Sequence, residues 1–182
     1  VLLSAICLSK RVILYGNLQH NKNINFMSAN RYLPSVLITG CSSGHGEALA
    51  KLFVKNGYPT YASARRIESI EHLKKIGCET LQIDVTSYDS IDKAVKTIEE
   101  KHSSVGILIN NAAIGIMGAM ETIPLEEVKR LYETNVFGLL AMTQAVLPKM
   151  RKAGKGRIVN IGSSGGEFTT PGGGVYQATK YA

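Results

Sequence analysis

Residues 36–46 read Val-Leu-Ile-Thr-Gly-Cys-Ser-Ser-Gly-His-Gly, a short apolar run followed at once by a loop rich in glycine and serine. The apolar run has the length of a buried parallel strand. Apolar residues at helical spacing follow over residues 47–56, and Gly57 ends that predicted helix. A strand, a glycine-rich turn and a helix in this order predict the first unit of an alternating α/β fold.

The same alternation continues to the end of the chain. Strands that alternate with helices of ordinary length form a parallel sheet through right-handed crossovers, with helices on both faces. We therefore predict a doubly wound, Rossmann-type parallel sheet over residues 34–182, with strand order 3-2-1-4-5 and its site at the carboxyl ends of the strands. Further strands are predicted at 60–64, 79–83, 105–109 and 157–161, and helices at 67–76, 90–101, 124–151 and from 176 onward. The helical spacing of apolar residues predicts the faces of three of these helices: Leu49, Leu52 and Phe53 in the first, Ile91, Ala94, Val95 and Ile98 at 90–101, and Leu125, Val128, Leu131 and Tyr132 at 124–151.

The loop after the first strand has three glycines in the spacing G-x-x-x-G-x-G. Glycine permits a tight turn and lets the backbone approach a pyrophosphate, and the helix that follows offers free N–H groups. Such a loop could also simply end a strand, but its place between a strand and a helix favours a dinucleotide site. The candidate cofactor contacts in this loop are Gly40, Ser42, Ser43, Gly44, His45 and Gly46.

The next candidates follow the second and third strands. An NAD site usually has an acidic residue about 20 residues past the loop, but this chain reads Ala64-Arg65-Arg66 there. A guanidinium can hold a 2′-phosphate in a fork, so Arg65 indicates NADP(H); the alternative is a solvated arginine pair. After the third strand, Asp84 and Val85 could face the adenine, although Asp84 could equally serve as a turn or cap residue.

Four further residues are candidates for chemistry. Tyr176 and Lys180 lie four apart on a predicted helix and share a face, and a nearby ammonium lowers the pKa of a phenol. Such a pair could instead be an ordinary surface pair. Ser163 follows the fifth strand and could donate to a carbonyl oxygen. Asn135 lies inside a predicted helix, which disfavours asparagine, so it is either functional or merely tolerated.

Together these motifs resemble the short-chain dehydrogenase/reductase family over residues 36–182. The resemblance implies a catalytic tetrad of Asn135, Ser163, Tyr176 and Lys180, in which Asn135 holds a water that links Lys180 to solvent. Two departures are His45, in place of a usual aliphatic residue, and Ala113, in place of a usual glycine. The matching stretches are 39–46, 110–113, 134–138, 156–163 and 176–180, and the implied cofactor contacts include Asn111, Ala112, Tyr176 and Lys180.

The resemblance also implies an activity. Residues 61–66 resemble the NADP-preferring branch of hydroxysteroid and retinol dehydrogenases. We expect hydride transfer between NADP(H) and a carbonyl or secondary alcohol of an apolar small molecule of steroid, retinoid or acyl type. The alternative is a non-catalytic nucleotide-binding fragment or truncated pseudoenzyme. A homo-oligomer is expected for a full-length form and is doubtful for this span.

Composition excludes several classes of protein. The 182 residues are 45% apolar and 19% charged, which suits a soluble domain with a core and excludes a collagen or a multi-span membrane protein. The net charge is +7, but residues 1–33 hold four basic residues and no acid, so the remainder has 17 basic residues against 14 acidic ones, or +3. We expect no nucleic-acid partner, since the basic cluster at residues 149–157 lies at a helix end, where cations are favourable. Three scattered cysteines favour a reduced compartment, the cytoplasm, and predict no metal site.

Residues 1–33 differ from the rest. Lys10 and Arg11 break the first apolar stretch into halves too short to span a bilayer. We predict a disordered extension, with Met27 as a candidate start; a membrane-surface anchor and an ordered arm are the alternatives. Because the family's domain continues further, we also expect this span to be truncated after the start of the Tyr176 helix. Residues 158–161 would then form an exposed strand edge.

Overall fold

The computed structural model describes residues 33–182 in full and, before them, only the backbone of two strands. These strands join five others in one seven-stranded sheet. In chain order the strands are β1 (Leu2–Leu8), β2 (Arg11–Tyr15), β3 (Val36–Ile38), β4 (Thr60–Ala64), β5 (Glu79–Gln82), β6 (Ile107–Asn110) and β7 (Arg157–Ile161).

The five strands from β3 onward form a parallel sheet in the order β5-β4-β3-β6-β7. This is the predicted order 3-2-1-4-5, so the fold class is confirmed. The register places Val36 of β3 opposite Thr60 of β4 and Ile107 of β6. The central strand β3 is completely buried, as the apolar sequence of residues 36–38 requires.

Helices connect the strands, and their bounds mostly follow the predicted ranges. The predicted helix at 67–76 is a ten-residue 3₁₀ helix, Ile67–Ile76. The single helix predicted over 124–151 is two α-helices joined by a π turn, Glu133–Phe137. No helix in the described part of the chain is long and apolar enough to cross a membrane. The α-helices are α1 (Gly44–Lys55), α2 (Tyr88–Lys101), α3 (Leu125–Tyr132), α4 (Gly138–Lys152) and α5 (Gly174–Tyr181).

Side chains of the sheet alternate between two apolar cores. Leu37 of β3 joins the core that contains side chains of α2 and α4, whereas Val36 and Ile38 join the core on the other face, with α1 and the 3₁₀ helix. Helices therefore cover both faces of the sheet. This arrangement leaves the carboxyl ends of the strands as the edge where loops can form a site.

The edge of β7 is paired. β1 runs parallel to β7, with Leu2 opposite Ile158 and Ala5 opposite Ile161, and β2 runs antiparallel to β1. The exposed edge predicted at residues 158–161 is therefore wrong for this span, because the backbone of β1 pairs with it. These two strands also differ from the disordered extension predicted for residues 1–33. The rest of that segment, including Met27, lies outside the described residues, and there the prediction stays untested.

Candidate active site

A cleft of about 290 Å³ lies at the carboxyl ends of the central strands. It is where a doubly wound sheet is expected to bind a ligand. Gly44 and Gly46 are not among its lining residues, but they belong to the same loop and to the start of α1. The predicted cofactor residues that line the cleft are Gly40, Ser42, Ser43, His45, Arg65, Asp84, Val85, Asn111 and Ala112.

Close backbone packing explains two of the loop glycines. Gly40 has a φ of +72°, and a Cβ there would lie 2.8 Å from the Cα of Ala112. A Cβ on Gly46 would overlap the carbonyl oxygen of Gly40 and lie 2.6 Å from Nδ2 of Asn111. The glycine loop and the loop after β6 can therefore touch only because these positions have no side chain.

Thr39 joins the same two loops and was not among the predicted site residues. Its Oγ1 accepts hydrogen bonds from the backbone N–H groups of Asn111 and Ala112, both at 3.0 Å. In return, Nδ2 of Asn111 donates to the carbonyl oxygens of Thr39, at 2.8 Å, and Gly40, at 3.0 Å. Its position in the sequence, directly after a buried strand, could have indicated that Thr39 belongs to the site.

The N-terminus of α1 borders the cleft. Ser43 is the N-cap residue, and its side chain makes no capping hydrogen bond, so its hydroxyl is available to a ligand. Gly44 has a φ of +60°, with no atom within 4 Å of where a Cβ would lie. The first N–H groups of a helix and its positive dipole end favour an anionic group, such as a phosphate, at this position.

Arg65 and Asp84 both line the cleft. Arg65 is exposed and, within residues 33–182, its guanidinium forms no ion pair. Asp84 closes a turn, because its Oδ1 accepts from the N–H of Thr86 at 3.0 Å and from its hydroxyl at 2.8 Å. The turn interpretation of Asp84 thus holds, and the residue still lines the cleft.

Asn135 lies in the π turn and is 5% exposed. Its Oδ1 accepts from the N–H of Ile114 at 2.9 Å, and its Nδ2 donates to the Ile114 carbonyl at 2.8 Å and to Oγ1 of Thr179 at 2.9 Å. The side chain therefore ties the loop after β6 to α5 at the residue before Lys180. π turns inside helices occur frequently at functional sites. The predicted role of Asn135 in holding a water is not tested by these contacts.

Ser163 and Tyr176 flank one glycine. A Cβ on Gly165 would lie 3.4 Å from Oγ of Ser163 and 3.6 Å from Cε1 of Tyr176. Oγ of Ser163 also accepts from the N–H of Gly165 at 3.1 Å, which holds the hydroxyl in this position. The structure thus brings together the two residues proposed to contact a carbonyl oxygen, while their roles stay predictions.

Lys180 lies one helical turn after Tyr176. Its Nζ is 6.0 Å from the centre of the Tyr176 ring and donates to the carbonyl oxygen of Ile161, at 3.4 Å, at the end of β7. Burial lowers the pKa of the Lys180 ammonium. A Cβ on Gly166 would lie 2.5 Å from the carbonyl oxygen of Lys180, so this glycine lets the Ser163 loop pack on α5.

Further residues of the site were missed from the sequence. Gly138 begins α4, and a Cβ there would lie 2.9 Å from Val85, so Gly138 sets the position of that cleft residue. Within residues 33–182, no group of three or more His, Cys, Asp or Glu residues could hold a metal ion. The remaining residues of the cleft lining are Ala64, Ile83, Ala113, Ile114 and Thr134.

Two curated proteins illustrate what this chain resembles in sequence. The 3-ketodihydrosphingosine reductase of Bacteroides thetaiotaomicron is 42% identical over 147 residues, covering 81% of this chain and 53% of the relative. The NADP-dependent 3-hydroxy acid dehydrogenase YdfG of Salmonella typhi is 38% identical over 150 residues, covering 80% of this chain and 60% of the relative. The chain therefore spans little more than half the length of these relatives.

Solved structures give the same result. A short-chain dehydrogenase from Streptomyces avermitilis superposes with a TM-score of 0.79 at 37% identity, covering 82% of this chain and 56% of that one. The closed form of a serine dehydrogenase complexed with NADP+ superposes with a TM-score of 0.77 at 34% identity, covering 81% and 61%. The sequence profile of the short chain dehydrogenases matches residues 34–182. With its sheet order, its glycine loop and this match, the chain belongs to the short chain dehydrogenase family.

Proposed function

We propose that this chain is the cofactor-binding and catalytic part of an NADP-dependent oxidoreductase that interconverts a carbonyl compound and a secondary alcohol. The observation that carries the proposal is the placement of Ser163, Tyr176 and Lys180 at the end of β7, on the same edge of the sheet as the glycine-loop cleft. A hydride donor in the cleft and a proton donor beside it are what carbonyl reduction requires.

The cleft fits a phosphorylated dinucleotide. The available hydroxyl of Ser43, the open space at Gly44 and the start of α1 suit a pyrophosphate. Arg65, without an ion pair in the described residues, suits the 2′-phosphate that distinguishes NADP(H) from NAD(H). The names of one relative and one structural neighbour include NADP, which supports the same cofactor.

In this proposal the chain's own residues position the substrate and move one proton. The cofactor, when bound, supplies or accepts the hydride at the carbonyl carbon. Ser163 donates a hydrogen bond to the carbonyl oxygen and orients it. Tyr176 gives the hydroxyl proton to that oxygen during reduction and takes it back during oxidation. The Lys180 ammonium, held by the Ile161 carbonyl, favours the phenolate form that remains after the proton leaves.

We propose an apolar small molecule, of steroid, retinoid or acyl type, as the carbonyl substrate. Support comes from the exposed side chain of Met120, which lies against the first turn of the Tyr176 helix, and from a 42% identical relative named as a 3-ketodihydrosphingosine reductase. We also propose that the protein lies in the cytoplasm and that its full-length form is a homo-oligomer. Phe137 and Leu140, about half exposed on the α4 side of the molecule, support association with a second copy.

The test is a pair of measurements on the full-length protein. NADPH is titrated by its fluorescence, and NADPH oxidation is followed by absorbance with and without an aliphatic ketone. We expect saturable binding and ketone-dependent oxidation. Binding without any ketone-dependent oxidation would favour the alternative, a non-catalytic nucleotide-binding protein. A protein that does not bind NADPH would overturn the proposal.

A further inference from the structure

One surface next to Tyr176 has no part in the chemistry described above. The loop after β6 runs over residues 115–120 beside the segment that begins α5. A Cβ on Gly115 would lie 3.6 Å from Cδ2 of Tyr176, so the loop starts against the tyrosine ring. The N–H of Gly118 then donates to the carbonyl of Gly172 at 2.9 Å. The loop thus leads away from the proposed reaction centre while staying docked to the α5 segment.

Two methionines on this loop are exposed. Met117 is 65% exposed and Met120 is 64% exposed, although both are large apolar side chains. The Cε of Met120 lies 3.0 Å from where a Cβ of Gly174 would be, so this side chain reaches the first turn of α5. We call Met117 and Met120 the apolar lip. Exposed apolar side chains that continue from a reaction centre are typical of a surface that binds the apolar part of a ligand.

The two chain segments that flank the lip carry charges of one sign only. The segments 111–124 and 162–175 contain two ionisable side chains, Glu121 and Glu167, and no lysine, arginine or histidine. Both glutamates are exposed. A substrate carboxylate would meet two like charges and no counter-charge on these two loops. A neutral or cationic substrate would meet no such repulsion.

Methionine also indicates the shape of the ligand. Its unbranched thioether has three rotatable bonds and adapts to ligands of irregular shape. A flexible aliphatic chain suits such a surface, because the methionine side chains can adjust to contact each added methylene and no rigid pocket wall is needed.

We infer that the substrate is a ketone with a flexible, unbranched aliphatic chain and no carboxylate, and that its chain lies on the apolar lip. The inference rests on the proposed function and narrows its substrate class. During reduction a C–H bond forms at the carbonyl carbon from the hydride of NADPH, and an O–H bond forms from the Tyr176 proton. The products are the secondary alcohol and NADP+, and solvent restores the tyrosine proton.

The experiment compares substrates of different length on the full-length protein. The ratio kcat/KM is measured with NADPH for straight-chain ketones from hexan-2-one to dodecan-2-one, and for 11-oxododecanoate, in which a carboxylate replaces the terminal methyl group of the longest ketone. We expect kcat/KM to rise about two- to fourfold per methylene, the range between partial and full burial of each CH₂. We expect the carboxylate to lower it about tenfold relative to dodecan-2-one, since burying a charge without a partner is costly.

Substitutions of Met117 and Met120 test whether the apolar lip causes the dependence of kcat/KM on chain length. The double variant Met117→Gln/Met120→Gln should flatten the dependence on chain length to less than about 1.5-fold per methylene, while NADPH affinity stays unchanged. The variant Met117→Lys should raise the preference for 11-oxododecanoate about fivefold, through one exposed ion pair. Leu52→Gln is the matched control, because Leu52 is 55% exposed on α1 and is not among the cleft-lining residues. It should change neither the dependence on chain length nor the preference for 11-oxododecanoate.

The possible results distinguish failure of this inference from failure of the proposed function on which it rests. Ketone reduction that does not depend on chain length, or a length dependence that survives in the double glutamine variant, would overturn the inference and leave the proposed function standing. If NADPH does not bind, or no ketone is reduced, both fail.

Discussion

Arg65 and Arg66 are neighbours in sequence but occupy different surroundings. Arg65 lines the cleft, whereas Arg66 is not among the lining residues. A guanidinium in the cleft can form two charge-assisted hydrogen bonds with a 2′-phosphate. We predict that Arg65→Ala weakens NADPH binding by about 10- to 150-fold, equivalent to a loss of about 1.5–3 kcal/mol, and leaves NADH binding almost unchanged. Fluorescence titration with both cofactors measures this.

Arg66→Ala is the control for charge alone, since it removes the same charge from the adjacent position. It should change the affinity for NADPH by less than about threefold, as expected for a screened surface charge. Equal affinities of the unmodified protein for NADPH and NADH would contradict the role given to Arg65.

Tyr176 is the proposed proton donor. Tyr176→Phe keeps the ring packed between Gly115 and Gly165 but removes the hydroxyl. In the full-length protein we expect carbonyl reduction to slow by about 10²–10⁴, the usual contribution of a general acid, with NADPH affinity nearly unchanged. Single-turnover kinetics and NADPH titration measure the two quantities separately.

Tyr181→Phe tests whether any tyrosine of α5 would give this result. Tyr181 is 54% exposed at the end of the same helix. Its substitution should leave the rate of reduction unchanged. Full activity of the Tyr176→Phe variant would show that Tyr176 is a packing residue.

Asp84 shows how far single residues could be interpreted from the sequence. Its two interpretations, a turn residue and a cofactor contact, are both compatible with the structure, because Oδ1 closes the turn while the residue lines the cleft. Thr39 was not predicted, because its role depends on the loop after β6, which is distant in sequence. Local patterns identify residue types at strand ends but do not say which loops meet there.

The packing of the start of α1 depends on Gly46. A Cβ at this position would overlap the Gly40 carbonyl oxygen and crowd Nδ2 of Asn111. We predict that Gly46→Ala lowers the free energy of unfolding by about 1–3 kcal/mol, the usual cost of overpacking. It should also abolish NADPH binding, because the glycine loop must move. Urea denaturation and NADPH titration measure these effects.

Gly154→Ala is the control for Gly46→Ala, because it introduces backbone strain at a position that does not line the cleft. Gly154 has a φ of +66°, no atom lies within 4 Å of its Cβ position, and it lies in the turn after α4. Alanine there should cost about 1–2 kcal/mol through the left-handed backbone alone. NADPH binding should be retained. If Gly46→Ala binds NADPH as tightly as Gly154→Ala does, the close packing of the two loops is unimportant for the cofactor.

Predicting helix faces from spacing succeeded where a helix packs fully against the sheet. The predicted face of α2 is buried over Ile91, Ala94, Val95 and Ile98. The spacing failed for Leu125 of α3, which is 61% exposed, and for Leu52 of α1. The π turn at Asn135 could not be predicted, because it accompanies hydrogen bonds to Ile114 and Thr179, which are distant in sequence.

The alternation of strands and helices along the sequence predicts both the order of the strands in the sheet and the edge of the sheet that forms the site. The rule that such crossovers are right-handed leaves few other topologies. The pairing of β1 with β7 was not predictable in the same way. It joins strands from opposite ends of the described chain, and no crossover rule relates them.

We expect the stability of the whole fold to depend on pH through the thiol of Cys41. Cys41 is a completely buried residue of the glycine loop, and burial raises the pKa of its thiol from 9.0 to about 12. The folded protein therefore holds this proton more tightly than the unfolded chain does. Its contribution to stability is fully present below about pH 9 and is lost as the pH rises toward 12.

We therefore expect the free energy of unfolding to fall more steeply between pH 9 and 12 in the unmodified protein than in a Cys41→Ser variant. A difference of three pKa units corresponds to at most about 4 kcal/mol, and the serine hydroxyl does not titrate in this range. Lysines and tyrosines titrate in both proteins, so the difference between the two urea-denaturation curves isolates Cys41. Burial also raises the pKa of Cys78, and that contribution cancels in the same comparison. Parallel pH profiles for the two proteins would mean that the Cys41 thiol ionises as readily in the folded protein as in the unfolded chain, contrary to its burial.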